Sequence, residues 1–473
     1  MKKISIALVF TLLLVITLLA LSSCGHIHTL SEPVRENEVE PTCRKRGTYD
    51  EVIYCVECEE ELSRKQKYID RIPHEYAEDD LCTICGFKNT ESTEGLVFIL
   101  NADGESYSLQ RIGSCTTEEE IVIGDYNGLP VTKILYGALE GCKNLKRIVI
   151  HDSVEIIERY AFRDCTQLES ITLPAKLEVI NYETFKGCSS LKSIEFPSTV
   201  DEIAEGAFRG CSSLANVTFP EGLYKIDKYA FMDCASFTAV TVTKNVARIG
   251  DYAFASCHNL VDITLSTGVA EIGGFSFFDC TAIKSITLPY SLYSIGNSAF
   301  LGCSSLETVA MDNNVAQLGP YAFSECTALT SINLSTGITQ IQTSAFAGCT
   351  SLASITLPEE LTSLGNNVFS YCTSLTEITL PDKLALIGNA TFLGCTKLTK
   401  VTFGSGLRSL GIETFLDCDN LAEVVFKDPT GWRWTEESAS TNSTAILEQN
   451  LSNPTKAALY MQGNYMYYYL RKF

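Results

Sequence analysis

One residue type recurs at a fixed interval through most of the chain. Thirteen cysteines follow one another every 23 residues without an insertion, at positions 142, 165, 188, 211, 234, 257, 280, 303, 326, 349, 372, 395 and 418. A period of roughly 20–29 residues is typical of solenoids in which each repeat forms one coil. A single coil this short cannot bury its own apolar side and must be covered by its neighbours. The spacing therefore predicts one continuous stack of coils.

Each unit has a strand-like half and a return half. After Cys188, residues Leu191, Ile194 and Phe196 follow an L-x-x-I-x-L rhythm whose last part alternates inward and outward, as a strand does. A proline often follows, which marks the end of a strand because proline has no N–H for a ladder. Phe lies three residues before the cysteine in twelve of the thirteen units, as Phe208 does. We expect these rings to form one continuous buried column.

This pattern closely resembles the leucine-rich repeat proteins of the BspA-like type, which are found on bacterial surfaces. The resemblance covers roughly residues 120–426 and is carried by the L-x-x-I-x-L-P strand, the following V-x-x-I and the closing A-F-x-G-C. It implies a leucine-rich repeat solenoid that is mainly β. Its concave face would carry a parallel sheet, and its convex face short turns and irregular or 3-10 segments.

Composition limits the classes of function. The chain carries 36 Lys+Arg against 57 Asp+Glu, a formal net charge of −21, so nucleic acid is not an expected partner. Only five histidines are present. Nothing beside His151 suggests a nucleophile, and His258, which follows Cys257, is expected to be a surface residue rather than a ligand. A convergent set of catalytic side chains is not visible in so even a repeat, and we therefore do not expect an enzyme. The sequence does not indicate an oligomeric state.

The first residues are typical of an export signal. Lys2 and Lys3 precede an uncharged apolar run that extends to Leu21, and Leu21-Ser-Ser-Cys24-Gly25 follows. The latter sequence resembles the lipobox of bacterial lipoproteins, which implies that Cys24 is lipidated and becomes the mature N-terminus. The run is also long enough for an uncleaved membrane helix to be the alternative. Both interpretations predict a membrane-anchored chain on the outer side of the cell membrane.

A cysteine-rich segment follows this signal. Two C-x-x-C pairs, Cys55 with Cys58 and Cys82 with Cys85, could supply four thiolates to a tetrahedral structural zinc ion. The alternative is that these thiols form disulfides outside the cell or simply close small turns. A catalytic metal is not expected, because the segment is too short to build a pocket around an open coordination position.

The repeated cysteines have two interpretations. Equivalent positions in neighbouring coils could approach within disulfide range. Thirteen is an odd number, however, and every coil keeps the same side chain where pairing would require alternating partners. We therefore expect a ladder of reduced, buried thiols, because free cysteine behaves as a small apolar side chain.

Two rows of side chains are candidates for ligand binding. The outward strand position carries threonine in most units, including Thr218, Thr241, Thr264 and Thr287. A uniform threonine row suits a solvated sheet face and is poor evidence for a tailored pocket. The alternative is a broad, low-affinity surface for proteins or glycans. A second row, eighteen residues after each cysteine, contains Tyr229, Tyr252 and Phe275. These aromatic residues could anchor a ligand or fill space over the phenylalanine column.

The predicted organisation has five parts: 1–23 signal peptide; 24–95 cysteine-rich stalk or small zinc-ribbon-like module; 96–141 N-terminal cap and first repeat; 142–426 repeats; 427–473 C-terminal cap or tail. The tail contains both tryptophans, Trp432 and Trp434, and could also be a docking patch. The resemblance implies non-enzymatic binding of proteins or glycans at the cell surface, such as adhesion. A structural spacer without a specific ligand is the alternative.

Overall fold

The computed structural model describes residues 29–40, 47–69, 92–110, 118–312, 314–436, 443–463 and 466–472. The described residues divide into two compact units, one with the sheet of residues 34–69 and one with the repeats. The predicted fold class is confirmed, because the repeats form a parallel-strand solenoid of about 14 turns with almost no helix.

The N-terminal unit is a three-stranded antiparallel sheet. Its strands are Val34–Val39, Gly47–Tyr54 and Glu61–Ile69, with Gly47–Tyr54 in the centre. The guanidinium of Arg64 joins the strands through ion pairs with Glu36 and Asp50, each at 2.9 Å. The apolar core of this unit is small, so these cross-strand charges are a visible part of what orders the sheet.

The strand-like half of each repeat forms what we call the first ladder. Its parallel strands are Glu120–Ile123, Arg147–Ile150, Ser170–Thr172, Ala239–Val242, Asp262–Leu265, Ser285–Thr287, Thr308–Ala310, Ser331–Ile332, Glu377–Thr379, Lys400–Phe403 and Glu423–Phe426. Single parallel bridges at Ser193, Asn216 and Thr356 continue the ladder in the turns between them. Apolar side chains such as Ile286 point inward, while the alternating Thr287 is exposed.

The return half of each repeat is more regular than the sequence predicts. Its V-x-x-I positions form a second parallel stack, the second ladder: Val131–Ile134, Ile156–Ile157, Val179–Ile180, Glu202–Ile203, Lys225–Ile226, Arg248–Ile249, Glu271–Ile272, Ser294–Ile295, Gln317–Leu318, Gln340–Ile341, Ser363–Leu364, Leu386–Ile387 and Ser409–Leu410. The described residues contain no 3-10 helix. Strands of two residues are too short for an alternation pattern, so the sequence did not reveal them.

A hydrogen-bonded turn segment completes each coil. Two of its residues, five and one before the cysteine, have positive φ in every coil, for example Gly206 (φ 63°) and Gly210 (φ 75°). These left-handed residues let alternate N–H groups point along the solenoid axis, and Phe208 N donates to Ala230 O at 2.8 Å. The turn segment is thus a third stack of inter-coil hydrogen bonds, and it satisfies backbone groups that would otherwise be buried without partners.

The phenylalanine column is confirmed. All twelve rings from Phe162 to Phe415 are buried, and neighbouring rings lie nearly parallel with centroids 5.2–5.8 Å apart. The ring of Phe300, for example, lies 5.3 Å from both Phe277 and Phe323. Burial of one such side chain contributes on the order of 2–3 kcal/mol, so the column is a main source of solenoid stability.

Strands from outside the repeats lie at both ends of the second ladder. Tyr107–Leu109 pairs in parallel with Val131–Ile134 and antiparallel with Phe98–Leu100. At the other end, Tyr469–Lys472 runs antiparallel to Ser409–Leu410 and also pairs with Trp432–Thr435. The remaining C-terminal elements are a strand and two helices: Thr444–Ala445, Glu448–Leu451 and Pro454–Gln462.

Candidate interaction surface

The predicted threonine row is a column of exposed hydroxyl groups on the first ladder. Thr218, Thr241, Thr264 and Thr287 are all exposed. Thr241 and Thr264 are direct partners in the parallel register, so their side chains project from the same face one coil apart. Equivalent coils are about 4.8 Å apart, and the column is therefore a regular array of hydroxyl groups on a rigid sheet.

The predicted aromatic row forms a stack of three rings. The centroids of Tyr229 and Tyr252 are 5.0 Å apart, and those of Tyr252 and Phe275 are 4.6 Å apart with an interplanar angle of 2°. The three residues are half-buried. The guanidinium of Arg209 lies 5.6 Å from the ring centre of Tyr229, close enough for a cation–π contact. The stack therefore has fixed ring positions and a partly exposed edge.

These aromatic residues occupy an unusual backbone position, which the sequence analysis missed. Tyr229, Tyr252 and Phe275 have φ values of 59°, 57° and 56°, in the left-handed region that bulky residues rarely adopt. The signal was present in the sequence, because Gly137 and Gly206 hold the equivalent position in other coils. Substitution of one of these aromatic residues by glycine would remove the ring and at the same time remove the steric strain of the left-handed backbone.

The threonine column and the aromatic stack lie on different segments of the coil. In the coil that contains both Thr241 and Tyr252, the second-ladder strand Arg248–Ile249 lies between them in the chain. The structure therefore brings the members of each row together, but it does not merge the two rows into one pocket.

The repeated thiols are buried and bonded rather than available for chemistry. Each Sγ from Cys165 to Cys418 donates to the carbonyl at the phenylalanine position of the preceding coil, as Cys280 does to Phe254 O at 3.1 Å. Burial raises the pKa of the Cys280 thiol to about 12, and it raises the pKa of Cys418 to about 12 as well. A thiol with so high a pKa is a poor nucleophile and a poor metal ligand at neutral pH.

The remaining candidate residues are only partly within the described chain. Cys55 directly follows the central N-terminal strand and is buried, and Cys58 lies on the turn that comes next. Cys82 and Cys85, which complete the predicted zinc site, lie outside the described residues, as does Cys24. Within the described ranges, no helix is both long and apolar enough to cross a membrane.

Comparison with known families and structures gives a consistent result. Residues 132–261, 224–352 and 316–431 match the model of the BspA type leucine rich repeat region, and together they span more than half of the chain. No curated protein matches the chain.

Three solved structures illustrate the similarity. A leucine-rich repeat protein from Bacteroides ovatus is 28% identical, with a TM-score of 0.59 over 70% of this chain and 93% of that chain. A leucine rich cell surface protein from Faecalibacterium prausnitzii is 25% identical, with a TM-score of 0.45 over 71% of this chain and 94% of that one. The pneumococcal vaccine antigen PcpA is 19% identical, with a TM-score of 0.46 over 76% and 91% of the two chains.

Proposed function

Because the chain belongs to the BspA type leucine-rich repeat family, we propose that it is a non-enzymatic protein of the bacterial cell surface that binds proteins or glycans along its solenoid. The observation that carries this proposal is the pair of regular, solvent-accessible rows on a rigid scaffold. Solenoids offer extended surfaces suited to large ligands. The fold itself does not specify the ligand, which the side chains on these rows must select.

Each row would contribute a different type of contact. The hydroxyl groups of Thr218, Thr241, Thr264 and Thr287 can donate and accept hydrogen bonds along one straight line. The rings of Tyr229, Tyr252 and Phe275 are held in place by stacking, so a ligand would immobilise few additional rotamers on binding them.

The direct test is binding of the purified full-length protein, solubilised in detergent, to arrays of glycans and extracellular matrix proteins. We expect reproducible binding that weakens in the variant Tyr252→Gly, because the substitution removes a ring without straining the left-handed backbone. Ser344→Gly changes the equivalent left-handed position of a coil in which that position is not aromatic, and this variant should bind as the parent does. Equal binding by both variants and the parent would remove the aromatic stack from the proposed site.

The second candidate function is a structural spacer that holds another part of the cell envelope at a distance. The uniformity of the threonine column favours it, because a tailored site would be expected to vary from coil to coil. Absence of binding to every array by a folded protein would support the spacer and contradict the binding function.

The proposed location depends on Cys24. Acylation of this residue would place the chain on the outer face of the membrane, and a diacylated N-terminus has the two chains that stable anchoring needs. We expect the parent protein to incorporate labelled fatty acid in the native host and to fractionate with membranes. Cys24→Ser should lose the label, whereas Cys58→Ser should keep it.

The proposed zinc site would involve Cys55, Cys58, Cys82 and Cys85. Cys55 and Cys58 lie on one short turn after Tyr54, which Cys55 N closes by donating to Glu60 O at 2.8 Å. Two cysteines at this spacing are typical of structural zinc sites. Elemental analysis of the full-length protein should find about one zinc per chain, lost in Cys58→Ser. A metal-free parent whose four thiols are oxidised would replace the zinc with disulfides.

A further inference from the structure

The second ladder is interrupted in the middle of the repeats. Its strands are continuous from Val179–Ile180 to Gln317–Leu318 and again from Gln340–Ile341 to Ser409–Leu410, but these two stretches belong to separate sheets. An earlier interruption lies between Ile156–Ile157 and Val179–Ile180. The turn segments on either side remain joined, since Tyr321 N donates to Thr343 O at 2.9 Å. The coils therefore separate on one side only, and the opening is a wedge rather than a gap.

The interruption in the middle of the repeats lies within a column of glycines. Seven residues before the cysteine, consecutive coils carry Gly250, Gly273, Gly296 and Gly319, and after an interruption Gly365, Gly388 and Gly411. A Cβ built on Gly319 would lie 2.6 Å from the carbonyl carbon of Gly296, and one on Gly388 would lie 2.5 Å from that of Gly365. Real Cβ atoms essentially never come so close to backbone atoms. The contacts between neighbouring coils at these positions, which we call joins, therefore require glycine.

Gln342 is the interruption of the glycine column. At intact joins the glycine N–H donates to the second-ladder carbonyl of the preceding coil, as Gly319 does to Ile295 O and Gly365 to Ile341 O, each at 2.8 Å. Before Gly250 the column holds residues with side chains, and the N–H groups of Ala204 and Asp227 still donate to Ile180 O and Ile203 O at 2.9 and 3.0 Å. Gln342 is distinctive because it lies between glycines whose neighbouring backbones approach more closely. The ladder separates at the join where Gln342 would meet Gly319.

The separated join is a cleft with a neutral lining. The cleft has a volume of about 560 Å³ and is bordered by the side chains of Tyr293, Ser294, Gln317, Thr339, Gln340 and Gln342. A contiguous hollow of about 310 Å³ shares Gln340 and Gln342 and extends to Gly388. At about 4.8 Å per coil the groove runs about 19 Å along the solenoid. None of its lining residues is Asp, Glu, Lys, Arg or His.

The outward side chains of the second ladder change from charged to neutral where the cleft begins. In the four preceding coils the outward position of the second ladder is charged: Lys225 pairs with Glu202 at 2.7 Å, and Arg248 pairs with Glu271 at 3.3 Å. From Ser294 onward the same position holds Ser294, Gln317, Gln340, Ser363, Leu386 and Ser409. The charge boundary thus coincides with one end of the groove.

We propose that this groove is a binding site for a neutral oligosaccharide, which deepens the proposed function by assigning a ligand class to one site. Each glutamine amide presents both donors and an acceptor, as a ligand rich in hydroxyl groups requires. Tyr293, half of whose surface is exposed, provides an aromatic face at the mouth, and its hydroxyl lies 3.5 Å from Gln317 Nε2. A charged glycan would leave its anionic groups without cationic partners here.

The chain offers a matched pair of variants and a closing variant. Tyr293→Ala removes the aromatic face, while Tyr224→Ala removes an equally exposed tyrosine from the same column three coils earlier, where the ladder is continuous. Gln342→Gly extends the glycine column and is expected to let the ladder close over the cleft. Closure should appear as slower amide hydrogen exchange at residues 340–342, with no loss of stability.

The test is binding of the full-length protein in detergent to panels of neutral and of sialylated or sulfated oligosaccharides. We expect binding to neutral members, about tenfold weaker or more in Tyr293→Ala, lost in Gln342→Gly and unchanged in Tyr224→Ala. Neutral glycan binding that both cleft variants retain would overturn the groove assignment and leave the proposed function intact. Binding only to charged glycans or only to proteins would overturn it too. Binding to nothing would contradict both proposals.

Discussion

At the scale of single residues, two buried columns run through the repeats, one of phenylalanine rings and one of cysteine thiols. The phenylalanine and cysteine columns run side by side, and each thiol from Cys188 to Cys418 donates to the backbone carbonyl of a phenylalanine one coil earlier. The phenylalanine contributes apolar area and the cysteine satisfies a buried acceptor. Neither role calls for a reactive thiol, which agrees with the raised pKa values.

Removing one ring from the middle of the phenylalanine column should be costly. We expect Phe300→Ala to lower the free energy of unfolding by about 3–5 kcal/mol, because it leaves a cavity between Phe277 and Phe323. Urea unfolding followed by circular dichroism measures the change. Tyr290→Ala, whose ring is 69% exposed, serves as the control and should shift the midpoint little. A midpoint for Phe300→Ala equal to that of the control would contradict the column's role.

The thiols should be inert in the folded protein. At about pH 8 we expect iodoacetamide to leave Cys280 unmodified in the native state and to modify it fully in urea, as measured by peptide mass spectrometry. The raised pKa also sets the sign of the pH dependence: the unfolded thiol ionises near pH ~8.5, the folded one near 12. Stability is therefore retained below about pH 8.5 and declines as the pH rises from there towards 12. Rapid native-state labelling of Cys280 would disprove its burial.

At the scale of elements, the two ladders differ in what limits them. First-ladder strands require only that inward apolar residues alternate with outward polar ones. Second-ladder joins from Gly250 onward also require a glycine seven residues before the cysteine, with Gln342 as the exception. Close packing of backbones is thus a sequence requirement of one side of the coil. Where the requirement is not met, at Gln342, the ladder separates and a groove opens.

A single methyl group should therefore destabilise the second ladder. We expect Gly296→Ala to cost about 1–3 kcal/mol, since its Cβ would lie 2.6 Å from the carbonyl carbon of Gly273. Gly222→Ala is the matched control, because its nearest backbone neighbour, Ser198 O, would be 3.8 Å away. Chemical denaturation of both variants gives the comparison, and equal stabilities would show that the join is not close-packed.

The sequence predicted the parts of each element that depend on one repeated residue type. The phenylalanine and cysteine columns and the outward threonines could be located from spacing alone. The second ladder could not, because a two-residue strand has no periodicity. The left-handed positions were hidden, because Tyr252 or Asp279 occupies in one coil the place that glycine holds in another. The importance of Gln342 emerges only from the distance between neighbouring backbones.

At the scale of the whole solenoid, the last coil has a ladder edge that no further repeat covers. A parallel ladder has an edge whose free N–H and C=O groups can pair with another chain. Here Tyr469–Lys472 occupies the edge of Ser409–Leu410 in the antiparallel sense, with Leu470 buried. Trp432 packs edge-on against Phe426, with ring centroids 5.4 Å apart, and closes the apolar interior.

Deletion of residues 466–473 should therefore promote self-association. We expect the truncated protein to show a higher, concentration-dependent mass than the parent in multi-angle light scattering, because the edge strand and the side chain of Leu410 become accessible. Tyr467→Ala, which changes an exposed side chain of the same segment, should behave as the parent does. A truncated protein with the parent's mass at every concentration would show that the final strand is dispensable.

The constant period has a consequence for the gene as well as for the protein. Because most coils meet the next through the same three sets of hydrogen bonds, removal or duplication of a whole unit away from Gln342 gives each new neighbour a compatible partner. Recombination between similar copies of the coding sequence would then yield shorter or longer proteins that still fold. Such a gene can therefore change the length of the solenoid readily, while the structure of each coil stays the same.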